Sequence, residues 1–403
     1  MKKIKVSELK PGMAFDQPVY IDPTNVLVQA KQILNARDIE RLVKWGIREV
    51  ETNGKILVPE EPKPAAQKGR TESNEIPPPI HDIPEEERIR LQTSYEAMRK
   101  NKLPFRTLVK ETAETLRANF QALVEGKPFD NHLVLNIASR LTDEIVAREY
   151  ILLSLCGAPP PANWYVYHSV HAACYGIILG HSLNFNRPRL VDLMFSMLLM
   201  DCGMARVPLH VKDKDTDLNN PEWTSIKKHT LLGYQLLTKN AKVKATLAAA
   251  CLQHHEFFDG SGYPQGLKGS QIDETARIAS IADSYTAMIE PRNHREALLP
   301  YEAMKNMLSV QMNKFDPRLL RTFLGHLSIY PLGSLVQLSN GSLALVIGCN
   351  SEKPLRPLLR LMRDDKGLPF NGLSFLDLNY EPTVYIVKAI KPENSGVDMD
   401  TEI

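Results

Sequence analysis

Cysteine is scarce in this chain and never closely spaced. The five cysteines (Cys156, Cys174, Cys202, Cys251, Cys349) form no C-x-x-C pair. That excludes a disulfide framework and suits a reducing compartment. Charge of one sign is also missing. Lys and Arg number 49 against 47 Asp and Glu, a net +2, so no basic surface advertises nucleic acid or membrane. Long apolar runs are absent too. Leu193–Met200, broken only by Ser196, is far too short to span a bilayer. Met1-Lys2-Lys3 has the charge of a signal peptide, but no apolar segment follows it. The expected location is the cytoplasm. What remains is ordinary soluble composition, 43% hydrophobic and 24% charged, over 403 residues, enough for two or three domains.

One stretch organises the rest: Gln253-His254-His255-Glu256-Phe257-Phe258-Asp259-Gly260-Ser261-Gly262-Tyr263-Pro264-Gln265-Gly266. Two histidines close an alanine-rich helical run, and an acidic, glycine-rich turn follows. Neutral imidazoles are good ligands for first-row metals, and a turn with positive φ accounts for the glycines. Alone, a His-His pair at a helix end is more often structural than ligating. Its neighbours decide.

Residues 1–54 read as a small α/β module. Val19-Tyr20-Ile21 and Val26-Leu27-Val28 are short strands, Asn35 caps a helix with Ile39, Leu42 and Val43 on its apolar face, and Gly46 ends it. Residues 55–84 form a linker, with seven prolines from Pro59 to Pro84. Residues 85–157 carry helical periodicity (Leu91, Tyr95, Met98; Leu116, Phe120, Leu123; Leu133, Ile137, Leu141, Ile145). They predict three or four helices, with a break at Gly126-Lys127-Pro128. Gly157-Ala158-Pro159-Pro160-Pro161 then precedes a central helical block, 158–327. In it Tyr167-His168-Ser169 opens an apolar-rich helix, and Phe195–Asp201 is a nearly all-apolar helix. Asn220-Pro221-Glu222 starts a helix leading to His229 and Gly233, and Ile278–Asp283 puts an acid at the end of an apolar helical run. An aspartate there is costly unless ionised against a partner such as a metal. Residues 328–390 change to alternating strands around Asn340-Gly341, with further strands at Leu358–Met362 and Thr383–Val387, and 391–403 are a loose polar tail. The expected fold class is mainly α, with a small N-terminal α/β module and a C-terminal β-rich extension.

The central block resembles an HD-GYP domain, the metal-dependent phosphohydrolase type whose members cleave cyclic di-GMP. The matching pieces are His168-Ser169, Asp201-Cys202-Gly203 and His229-x-x-x-Gly233. They continue with His254-His255-Glu256-x-x-Asp259-Gly260-x-Gly262-Tyr263-Pro264 and with Ala276-Arg277-Ile278 through Ile281-Ala282-Asp283. Arg292 and Arg295 match arginines of a segment that follows and are the candidate cofactor-binding residues. The resemblance covers roughly 160–390, and residues 1–54 resemble a small domain often fused to this family. It implies iron or manganese held by His168, Asp201, His229, His254, His255 and Asp283. Asp201 is then the catalytic bridge, His229, His254 and His255 complete one site, and His168 and Asp283 belong to the other. Two cations sharing a carboxylate would acidify a shared water and neutralise the phosphodiester.

Four departures stand beside the matches. Met200 replaces the histidine of the His-Asp dyad, and a thioether is a poor ligand for such ions. Met204 replaces a lysine that contacts substrate phosphate. Thr286 stands where a further aspartate is usual. Trp164 stands where members with three metals carry a glutamate. Arg206 points elsewhere and does not replace the lysine. The other histidines (His81, His132, His171, His181, His210, His294, His326) match no ligand position and read as surface or packed residues, and Cys202 reads as a buried structural thiol. The expectation is about one ion per chain, at most two, with hydrolysis weak or lost and a binding or regulatory role in cyclic di-GMP signalling. The alternative is an active phosphodiesterase yielding pGpG or GMP. Gly262, Tyr263 and Pro264 form an exposed turn that, by resemblance, would meet a diguanylate cyclase domain.

Overall fold

The structure is a computed structural model. It describes residues 85–148, 164–214, 216–291, 296–349, 353, 355–391 and 395–397. Nearer the N-terminus it describes 2–10, 12–22, 25–28, 49–57 and positions 34, 39, 42 and 47. The proline-rich linker from residue 58 on, the Gly157–Pro161 break, Arg292, His294 and Arg295 lie outside the described residues, as does most of the helix expected after Asn35. The linker expected from residue 55 starts later, because Ile56–Leu57 pair as a strand with Ala14–Phe15. The chain divides into two compact units, Met1–His81 and Asp82–Ile403.

The first unit is built from short strands: β1 (Lys2–Lys5), β2 (Ala14–Phe15), β3 (Val19–Asp22), β4 (Asn25–Val28), β5 (Glu49–Thr52) and β6 (Ile56–Leu57). β1, β5, β3 and β4 form one antiparallel sheet in that order, and β2 pairs with β6. Phe15, Val19, Leu34, Leu42 and Val50 are buried together on its apolar side.

The second unit is mainly helical. α1 (Glu85–Val124) runs 40 residues and passes through Pro104 without stopping. A proline there costs a backbone hydrogen bond, but Phe105, Leu108 and Val109 bury at once beyond it and carry the helix on. With α2 (Asn131–Ala147), the described part of this region holds two helices rather than three or four. The break between them lies where Gly126-Lys127-Pro128 marks it, and Asp130 caps α2. α3 (Trp164–Ser182) is buried on nearly every side, as is the C-terminal part of α4 (Arg187–Leu198). α4 stops three residues short of Asp201, which opens a 3-10 turn over Cys202–Arg206. α5 (Leu209–Lys212), α6 (Asn220–Lys227), α7 (His229–Gln235), α8 (Ala245–Gln253) and α9 (Glu274–Ile289) complete the bundle around the site. The helix begun at Asn220 is interrupted at Lys228, so His229 heads its own helix. α10 (Pro300–Ser309) and α11 (Pro317–Leu327) lead out of it.

The C-terminal sheet is antiparallel, β7 (Leu335–Leu338), β8 (Leu343–Gly348), β9 (Leu358–Arg363), β10 (Pro369–Asp377) and β11 (Ile386–Ile390), in the order β10-β9-β8-β7-β11. The β7–β8 hairpin turns at Asn340-Gly341, as its sequence predicts. β10 has no counterpart in the sequence reading, and β11 begins three residues later than expected. The tail is not wholly loose, because Val397 buries against Leu335, Leu345 and Met362. Among the described residues no helix is long and apolar enough to cross a membrane.

Candidate metal centre

Two glycines decide why the pieces meet. A Cβ on Gly203 would lie 1.9 Å from the His229 carbonyl oxygen, so only glycine lets the 3-10 turn touch α7. The turn brings Asp201 and the contact fixes His229 beside it. Gly262 works the same way in the loop after α8. Its Cβ would meet the Glu256 Cα at 2.5 Å, so close packing, not positive φ, requires glycine there. Gly260 and Gly266 are the loop's positive-φ positions.

The structure brings together all six described ligand candidates. The ligand atoms of His229, His254 and His255 lie within 4.8 Å of one another. Asp201 Oδ1 is 3.5 Å from His229 Nε2 and 3.8 Å from His254 Nε2. Its other oxygen accepts a hydrogen bond from Ser169 Oγ at 3.0 Å. On the far side His168 Nε2 meets Asp283 Oδ1 at 2.8 Å, and His255 Nδ1 is 3.8 Å from Asp283 Oδ2.

The tautomers follow from the partners. His229 Nδ1 lies 2.7 Å from the Ile226 carbonyl and His254 Nδ1 2.9 Å from the Ala250 carbonyl. A carbonyl only accepts, so each Nδ1 carries the proton and each Nε2 presents a lone pair. Those two Nε2 atoms are 3.2 Å apart and share the Asp201 carboxylate as neighbour. Two lone pairs and an anion facing one another repel unless a cation sits among them. Burial, with the neighbouring His254, lowers the pKa of His229 and holds that of His255 well below the usual imidazole value, so extra protons are disfavoured. The donor set fits a first-row divalent ion.

The His168 side is different. Its Nδ1 bonds Glu290 Oε2 at 2.8 Å, and Glu290 Oε1 also takes His171 Nδ1 at 2.5 Å. Burial opposes ionisation of Asp283 and Glu290, but the bonds and charge of His168 prevail and hold both carboxyls well below their usual range. Glu290 escapes sequence reasoning. A signal was available, since an acid at the C-terminal end of a helix opposes the dipole and needs a compensating partner. His171 is packed, as expected, but packed against the site. The Trp164 ring stands edge-on to His168, centroids 6.2 Å apart.

Met200 and Met204 are both core residues, 0% and 3% exposed, and Arg206 is exposed. Cys202 is a buried thiol, its sulfur 4.0 Å from that of Cys251. Tyr263 corrects the picture of an exposed anchor. Its ring is half-buried, tilted on His255 with centroids 4.8 Å apart, and burial pushes its phenol far up. Glu256 holds the loop in this position, its buried carboxylate accepting from Gln265 N at 2.6 Å and Leu267 N at 3.0 Å.

A family model described as "HD domain" matches residues 170–319. The chain belongs to the HD-domain family, HD-GYP type. On either side of the HD-GYP domain, a "KOW domain associated with HD domain" matches 335–396, and a domain of unknown function matches 1–134. The chain is 29% identical over 236 residues to a cyclic di-GMP phosphodiesterase of Pseudomonas aeruginosa, covering 59% of this chain and 57% of that one. It is 26% identical to the cyclic di-GMP phosphodiesterase PdeB of Borreliella burgdorferi, covering 49% of this chain and 52% of the other. The chain thus spans about half the length of these relatives. A solved HD-GYP-type protein of Bdellovibrio bacteriovorus aligns over 80% of this chain and 97% of its own, at 16% identity and a TM-score of 0.48.

Proposed function

We propose that this protein binds cyclic di-GMP at a centre holding one divalent ion, iron or manganese, and hydrolyses it slowly or not at all. The observation that carries the reading is the facing Nε2 pair of His229 and His254 beside Asp201, next to a fully buried Met200. Asp201, His229, His254 and His255 would hold the ion, which when bound supplies Lewis acidity toward a phosphodiester. Ser169 steadies the Asp201 carboxylate, and Glu290 fixes the His168 ring. Tyr263 packs against the His255 ring. Met200, a fully buried thioether, supplies no imidazole to a second ion, so the set favours single occupancy. Arg292 and Arg295 are proposed as dinucleotide contacts on the resemblance alone.

A regulatory contact with a diguanylate cyclase domain through Gly262, Tyr263 and Pro264 would rest on Pro264 and its exposed neighbours, since the Tyr263 ring is engaged by His255. The alternative, an active phosphodiesterase, draws on His168 and Asp283 standing within the same cluster.

The test is metal analysis with cyclic di-GMP binding and turnover under reducing conditions, iron or manganese supplied. We expect about one ion per chain, measurable binding and slow turnover. Met200→His with Met204→Lys should raise both metal content and rate. Two full equivalents in the native protein, or a native rate that the double change does not improve, would establish the active reading instead.

A further inference from the structure

Lys212, the last residue of α5, has no part in the ligand set, yet both its ends are tied to residues that border it. Its Nζ lies 3.5 Å from the Met204 carbonyl oxygen and 4.8 Å from the centre of the Tyr165 ring. Its own carbonyl accepts the Trp164 indole N–H at 3.3 Å, and Trp164 stands against His168. Met204 in turn follows Asp201 by one 3-10 turn, its N–H bonded to the Asp201 carbonyl at 2.8 Å. Tyr165 is buried, and burial together with the charge of Asp201 pushes its phenol up to about 12, so this ring lies within electrostatic reach of the carboxylate.

The Lys212 ammonium is therefore half-buried against the site's flank. Burial lowers its pKa, opposed by the charge of the neighbouring Asp213, and among the described residues no carboxylate forms a salt bridge with it. An ammonium has three donors, and one carbonyl and a ring face do not satisfy them. A desolvated cation in that condition is stabilised by an anion. The thioether of Met204, whose backbone it touches, offers no charge.

We propose that Lys212 is the anion-binding residue of this centre and donates to a phosphate oxygen of the bound cyclic dinucleotide. This rests on the ligand reading above. It assigns the phosphate contact to a residue eight positions after Met204, arriving from the next helix. The competing role is mechanical, a lysine capping the carbonyls that end the 3-10 turn, and it predicts lost stability without lost affinity.

The test uses the full manganese-loaded chain, titrated calorimetrically with cyclic di-GMP and separately with inorganic phosphate, alongside melting temperature and metal content. Lys212→Gln should weaken both ligands about 10- to 100-fold, the range of a charge-assisted hydrogen bond, with metal content unchanged. Lys212→Arg should stay within a few-fold of wild type, and adding Met204→Lys to Lys212→Gln should restore binding. Unaltered affinity in Lys212→Gln overturns the proposal. So does a loss that follows a fall in melting temperature and is not rescued by Met204→Lys. If Lys212→Gln does not fold, the arginine variant decides, since retained affinity supports an anion contact and lost affinity overturns it. Lys212-dependent phosphate binding in a protein that ignores cyclic di-GMP would overturn the ligand reading and the dinucleotide contact with it, while supporting Lys212 as the anion-binding residue. A wild-type protein binding neither overturns both.

Discussion

His254→Leu should cost stability only when metal is bound. In the stripped protein His229 and His254 point lone pairs at each other across 3.2 Å, with Asp201 3.5 and 3.8 Å away. Leucine removes that repulsion and fills similar volume in a fully buried place. It also removes the Nδ1–H bond to the Ala250 carbonyl, but that oxygen keeps the backbone N–H of residue 254 at 2.9 Å. The net loss of one such bond is about 1 kcal/mol, offset by the relieved repulsion, so the stripped proteins should match within about 1 kcal/mol. Loaded at a hundredfold above the dissociation constant, the wild type gains about 2.7 kcal/mol and the variant nothing comparable. For a unit the size of Asp82–Ile403 that is a melting-temperature gap of about 4 °C, opened by manganese and closed by a chelator. The assay is paired thermal unfolding of both proteins, loaded and stripped, with metal content measured on each sample. Equal metal-induced shifts in the two would refute the assignment of the ion to the Nε2 pair. A stripped variant several kcal/mol below the stripped wild type would show that the pair shares a proton and does not await a cation.

The buried Glu256 carboxylate accepts two loop amides, and Glu256→Gln would turn an NH2 toward one of them. We expect a loss of about 1–3 kcal/mol and faster hydrogen exchange at Gln265 and Leu267; unchanged protection would mean the loop is held elsewhere. Burial holds His229 and His255 below the ordinary 6.5, so the folded metal-free protein keeps them neutral while the unfolded chain takes up protons. Their contribution to stability is complete above pH 6.5 and is lost below it, at up to about 1.4 kcal/mol per pH unit for each histidine. Denaturant titrations of metal-stripped protein between about pH 8 and about pH 5, the range in which histidine changes charge, check this, and stability that rises on acidification would contradict it.

The clustering of the candidate ligands was legible because their chemistry is concentrated in few residue types at fixed intervals. Asp201, His229 and His254 stand at the ends of elements, His255 follows at once, and Asp283 faces them from inside α9, six residues before its end and not at the close of an apolar run. The hairpin at Asn340-Gly341 was legible for the same local reason. What was not legible depends on contacts distant in sequence. Glu290 reaches His168 across 122 positions, and Lys212 reaches Tyr165 from a separate helix. The inward turn of Tyr263 is set by Glu256 pulling on the loop behind it, which no turn signature reveals. Pro104 misleads because local backbone cost is outweighed by the burial of Phe105 and its neighbours. β10 was hidden because its apolar positions (Phe370, Leu373, Phe375, Leu376) do not keep the period of two, and its pairing with β9 shifts register between Pro369 and Ser374.

Gly203 stands between Met200 and Met204, and these neighbours live under opposite rules. A single added methyl at Gly203 collides with the His229 backbone at 1.9 Å, so that position has no substitute. The two methionines fill core volume, a task that many apolar residues perform equally well. Within five residues, then, the chain separates what the architecture demands from what the chemistry demands. Exchange of either methionine for another apolar residue should therefore leave a well-folded protein, whichever is changed first. The turn that carries both positions is kept in place by the glycine between them.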